Sequence, residues 1–167
     1  HKFKQVELAK KVGFKVPWSS VYDDNFDIKS IVYPCILKPL ASINGGKHIC
    51  ICNSYEEFKL SINAFEGVKT IIQEMVTKDE EIVIVGLTVD GHSHIPAYIS
   101  KIREIKGGTT YSKVCDIKRL PSQIIEICKR MITDIGYEGL WGIECIVKGD
   151  EFKIEEVLTN YISNACN

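Results

Sequence analysis

The chain has 167 residues, a formal net charge of −1 at neutral pH, 45% hydrophobic residues and 26% charged residues. That length holds one domain, or two small lobes sharing a cleft. The balanced charge argues against a general affinity for nucleic acid or membrane surfaces, and no apolar run approaches the roughly 20 residues that span a bilayer, so neither partner is expected.

There are seven cysteines, an odd number, and no CxxC pair. Most lie in apolar runs, where free cysteine behaves as a small hydrophobe, so reduced thiols in a cytoplasmic setting are expected. Cys50 and Cys52 share one face of a strand-like segment, but a metal there would need two further ligands that the sequence does not place nearby. The chain begins at His1 and enters a helical pattern at once. It reads as a domain cut from a longer protein, with a preceding domain missing.

Phe3, Val6, Leu8, Ala9 and Val12 predict a helix over residues 2–12, ended by Gly13. Phe14 to Trp18 is extended because the residue before Pro17 avoids the helical region. Residues 19–30 are polar and read as a loop. Ile31 to Leu40 is β-branched and apolar, a strand; Ala41 to Lys47 is a small-residue loop; His48 to Cys52 is a second strand, making a hairpin. Ser54 and Glu57 have capping-box spacing and open a helix with Phe58, Ile62 and Phe65 on its apolar face. Strands follow at 69–76, 81–90 and 94–105, then a loop at 107–110. Pro121 starts a helix with a stripe of Ile124, Cys128, Met131, Ile132 and Ile135. Gly139 to Val147 and Phe152 to Leu158 form an antiparallel hairpin.

Several positions carry chemistry. Gly45 and Gly46 let main-chain N–H groups approach a phosphate, although an ordinary hairpin loop has the same composition. Lys38 ends an apolar strand, where lysine is either partnered or snorkelling to water. Glu74 closes one strand and Glu81 opens the next, seven positions on. A strand end there can offer main-chain groups to an adenine edge, and a carboxylate can accept from ribose hydroxyls; two solvated glutamates beside a turn are the alternative. Glu144 and the Glu155-Glu156 pair lie on facing strands, where two carboxylates repel unless a cation such as Mg2+ sits between them. Lys101 and Arg103 are two apart and expected on one face, either meeting anionic oxygens or forming a solvated basic stripe.

The order of these features resembles the ATP-grasp superfamily, closest to carboxylate–amine ligases and the large subunit of carbamoyl-phosphate synthase. The resemblance is carried by Lys2 with Gly13-Phe14-Lys15-Val16-Pro17, by Tyr33-Pro34-Cys35-Ile36-Leu37-Lys38-Pro39, and by Gly45-Gly46. Ser54 to Phe58, Gln73-Glu74-Met75-Val76 with Glu81, Glu144, and Ile154-Glu155-Glu156-Val157 continue it in the same order. It implies an α+β fold of two lobes with the nucleotide between them: residues 1–18 packing on the larger lobe, about 19–76 forming the smaller lobe, and about 77–167 the larger. It implies ATP with Mg2+ (or Mn2+) as cofactors, and a small-molecule carboxylate and an amine or thiol as substrates, joined through an acyl phosphate. Lys38 and Lys2 would contact phosphates under the Gly45-Gly46 loop, the main chain of Glu74, Met75 and Val76 would hold adenine, and Glu81 the ribose. Glu144 and Glu156, with Glu155 as the alternative register, would hold the metal, and Arg103 would join Lys38 at the reacting phosphate. The family's asparagine and arginine at the end of the metal strand are replaced by Leu158 and Asn160. That departure leaves a second expectation open: a degenerate domain that binds nucleotide to sense or regulate.

Overall fold

The computed structural model describes residues 2–40, 49–105 and 108–158, with residues 2–3, 104–105, 108–110 and 154–158 described as main chain. Gly45, Gly46 and Asn160 lie outside the described residues, as do the side chains of Lys2, Glu155, Glu156 and Leu158. The fold divides into two units, His1–Glu7 with Pro17–Val76, and Leu8–Val16 with Thr77–Asn167.

The first unit is built on a four-stranded antiparallel sheet in the order β1-β4-β2-β3. Its strands are β1 (Ser19–Tyr22), β2 (Cys35–Pro39), β3 (Cys50–Cys52) and β4 (Thr70–Glu74). Helix α2 (Tyr55–Ile62) buries Phe58 against Cys35, Leu37, Cys52 and Ile72. Ser54 caps α2 by accepting the Glu57 N–H, while the Glu57 carboxylate reaches back to the N–H of Asn53, one residue earlier than a standard capping box. Burying a side chain such as Phe58 or Leu37 contributes about 1.5–3 kcal/mol each, so this small cluster is what holds the sheet to its helix.

The second unit carries a five-stranded antiparallel sheet, β7-β6-β5-β8-β9. Its strands are β5 (Glu80–Val89), β6 (His92–Ile105), β7 (Gly108–Asp116), β8 (Gly139–Lys148) and β9 (Glu151–Leu158). Helix α3 (Ser122–Asp134) buries Ile124, Ile127, Cys128, Met131 and Ile132. Ile127 takes the place expected for Ile135, which is exposed beyond the end of the helix. The last turns of helix α1 (Lys2–Val12) bring Ala9, Val12 and then Phe14 into the same core. Gly13 ends α1 with φ +101, a conformation that favours glycine. Gly86 is required for space: a Cβ there would overlap the indole of Trp141, whose Nε1–H donates to Thr88 Oγ1 at 2.9 Å.

Two segments expected as loops are strands. β1 pairs with β4, and β7 pairs with β6, extending from Gly108 through the predicted loop. Among the described residues no helix is long and apolar enough to cross a membrane.

Candidate functional site

In the first unit the candidate residues meet at neighbouring strands. β2 and β4 pair so that Ile36 faces Gln73 and Lys38 faces Ile71. Lys38 is 9% exposed, and its Nζ donates to Gln73 Oε1 at 2.7 Å. Gln73 Nε2 donates to Ser19 Oγ at 2.8 Å, and Ser19 Oγ–H donates to the Pro17 carbonyl at 3.0 Å. This relay explains why a strand with two serines forms at β1: Ser19 is a bonded member of a polar network. The amide orients the ammonium without cancelling its charge. A hydrogen bond to a charged group is worth about 1.5–3 kcal/mol, enough to define the lysine's direction.

The end of β4 is tied on both sides. The Glu74 N–H donates to the Trp18 carbonyl at 2.9 Å, and the Met75 N–H donates to the Pro34 carbonyl at 2.9 Å. Both donors at this strand end are used by the fold itself. Val76 follows beyond the last ladder residue.

In the second unit Glu81, Lys101 and Glu144 come together on three adjacent strands. Glu81 of β5 lies directly opposite Lys101 of β6, and Glu144 of β8 pairs with Val83. Lys101 Nζ donates to Glu81 Oε1 and, at 2.8 Å, to Glu144 Oε1. The side chains are 14%, 9% and 16% exposed for Lys101, Glu81 and Glu144, so this is a largely desolvated ion cluster. Lys78 reaches Glu81 Oε2 at 2.5 Å. Burial alone would pull the Lys101 ammonium down, but the hydrogen bonds and charges of Glu144 and Glu81 outweigh it and raise its pKa. The cation between these carboxylates is thus a lysine supplied by the chain.

Asp79 fastens the start of β5 to the β8–β9 turn. Its carboxylate accepts from Lys148 Nζ at 2.8 Å and from the Gly149 N–H at 2.9 Å, contacts that lower its pKa.

The β8–β9 ladder places the main chain of Glu156 opposite Glu144. The register shifts between Glu144 and Cys145, which pairs with Ile154, and Glu155 is passed over in the pairing. Among the described residues no group of three or more His, Cys, Asp or Glu side chains forms a metal cluster.

Arg103 lies in an irregular stretch of β6. The β6–β7 register shifts on both sides of it, and Ile102 and Arg103 are both exposed while Lys101 is largely buried. The shift breaks the alternation that would have put Lys101 and Arg103 on one face. Sequence reasoning left Gln73 without a role, and it placed Lys101 on a basic stripe or against anionic oxygens rather than between Glu81 and Glu144. Gln73 lies directly before the Glu74 motif, and Lys101 follows the alternation of β6 into the sheet.

An ATP-grasp domain model matches residues 7–159, and the chain belongs to the ATP-grasp family. Among its curated relatives is the formate-dependent phosphoribosylglycinamide formyltransferase of Sulfurisphaera tokodaii, 28% identical over 141 residues, covering 77% of this chain and 36% of that protein. The enzyme of the same name from Methanocaldococcus jannaschii is 24% identical over 164 residues, covering 89% and 41%. Similar folds are seen in an N5-carboxyaminoimidazole ribonucleotide synthetase in complex with ADP (TM-score 0.84, 17% identity, 97% of this chain and 45% of that one). Biotin carboxylase from Campylobacter jejuni is another (TM-score 0.82, 16% identity, covering 99% and 41%). The chain spans well under half the length of these relatives.

Proposed function

We propose that the chain is the nucleotide-binding part of an ATP-dependent ligase that joins a carboxylate to an amine or thiol through an acyl phosphate. The observation that carries this reading is Lys38: a nearly buried ammonium on β2, aimed by a neutral amide, in a chain of the ATP-grasp family. Lys38, with Lys2, meets the phosphates under the Gly45-Gly46 loop. Because the Glu74 and Met75 N–H groups are used internally, the adenine edge falls mainly to the main chain of Val76. Glu81, whose oxygens accept from Lys78 and Lys101, is the carboxylate that would accept from the ribose hydroxyls.

In the reaction a substrate carboxylate oxygen attacks the terminal phosphorus of ATP and the bond to ADP breaks. The amine then attacks the acyl carbon, phosphate leaves, and the nitrogen loses a proton. Lys38 and Arg103 assist by spreading charge on the transferred group. Glu144 and Glu156 would hold Mg2+, which neutralises phosphate oxygens when bound.

A second reading is a nucleotide sensor. It is favoured by Lys101, which already occupies one oxygen each of Glu81 and Glu144, and by Leu158, which has no ligating atom.

Calorimetric titration with ADP and ATP, with and without Mg2+, tests binding. Lys38→Ala is expected to weaken binding about tenfold or more, the loss of one charge-assisted contact. Absence of binding to the unaltered chain at millimolar nucleotide overturns both readings. Trapping an acyl phosphate with hydroxylamine then separates ligase from sensor. Formate is the first acid to try, given the names of the curated relatives.

A further inference from the structure

β2 and β3 flank residues 41–48, and their antiparallel pairing sets Cys35 directly opposite Cys52. Both thiols are free and fully buried, and after burial itself the Cys52 thiol is the neighbour that raises the pKa of the Cys35 thiol. Facing residues of antiparallel strands have Cα atoms about 4.5 or about 5.5 Å apart, according to their place in the ladder. Both values lie inside the roughly 4.4–6.8 Å that a disulfide spans. The main-chain spacing of the pair is therefore one that a disulfide can span. Tyr33 adds to the cluster. Its hydroxyl oxygen is buried without a hydrogen-bond partner among the described residues, and Cys35 and Cys52 are the foremost of its electrostatic neighbours. Two facing thiols and an unpaired phenol are more polar hydrogen than an apolar cluster needs for packing.

We propose that Cys35 and Cys52 form a reversible dithiol–disulfide couple that bridges the two strands around residues 41–48. The oxidant is a low-molecular-weight disulfide. One cysteine sulfur attacks it and releases one thiol as a mixed disulfide forms. The second cysteine displaces the other thiol, so two S–H bonds are replaced by one S–S bond and both protons leave on the released thiols. The way in is through β3, the sheet's edge strand of three residues, with Ile51 exposed and Cys50 half-buried. Burial pushes the Cys35 thiol up to about 11, which disfavours the attacking thiolate, so oxidation is slow and follows sustained exposure.

The test exposes the folded chain to glutathione disulfide, blocks remaining thiols, and maps the peptides by mass. The expected result is the loss of two hydrogen masses, located to a Cys35–Cys52 link, and restored by dithiothreitol. Cys50→Ser keeps the link and Cys52→Ser abolishes it; circular dichroism confirms that each variant is folded. A glutathione adduct on Cys50 alone, a link between other cysteines, or no reaction of the unaltered chain overturns the proposal. The readout is a mass and does not depend on nucleotide binding, so it stands or falls apart from the proposed function.

Discussion

Two lysines occupy inner strands of the two sheets, and each has a different kind of side chain beside it. Lys38 donates to the neutral amide of Gln73, whereas Lys101 donates to two carboxylates. A neutral amide fixes direction and brings no charge of its own. Two carboxylates consume the charge, and the lysine becomes a tie across three strands. The same residue type at similar burial thus meets a neutral amide in one unit and ties two carboxylates together in the other.

The largest expected effect breaks the second half of that contrast. Lys101→Met leaves two desolvated carboxylates together, and removing one partner of a buried ion cluster costs about 3–5 kcal/mol. Urea denaturation at neutral pH measures the loss, and adding Glu144→Gln to Lys101→Met should recover part of it. The sign with pH follows from the raised Lys101 pKa. Its contribution is fully present below the unfolded lysine value of about 10.4 and is lost as pH rises through the folded value. The alkaline fall in stability should be shallower in Lys101→Met.

Next comes a control for packing in the same sheet. Gly86→Ala drives a methyl into Trp141 and should cost about 1–3 kcal/mol with no change in pH dependence. A pH dependence altered like that of Lys101→Met would undo the electrostatic account of the cluster. Gln73→Glu then gives Lys38 the kind of partner that Lys101 has. Stability should hold, while ADP affinity falls about tenfold by calorimetry. Unchanged affinity would mean that Lys38 does not meet phosphate. The smallest effect is at Lys11, paired with Asp134 at 2.9 Å but 73% exposed. Lys11→Ala should leave the denaturation midpoint unmoved, since exposed pairs contribute little.

Most of the architecture is legible in the sequence because its elements bury one face. The α3 stripe and the β8–β9 hairpin follow periodicity that burial enforces. β1 and β7 are hidden for a different reason. β1 ties its Ser19 into a hydrogen-bonded network, and β7 is an edge strand with Tyr111 and Val114 exposed, so neither shows an apolar alternation. The role of Lys101 depends on partners 20 and 43 residues away, a pairing that no local pattern displays. Lys38 was marked by its own oddity, a lysine inside an apolar run, and that mark survives without knowledge of Gln73.

The shifted register between β8 and β9 has a consequence for length variants. Glu155 is passed over in the ladder, while Ile154 and Glu156 on either side keep partners. A deletion of Glu155 would close the ladder to regular pairing and still leave Glu156 level with Glu144. Deleting any paired residue between the turn and Ile154 would instead slide Glu156 out of step. This strand therefore has one position at which a residue can be lost without changing the partner of Glu156.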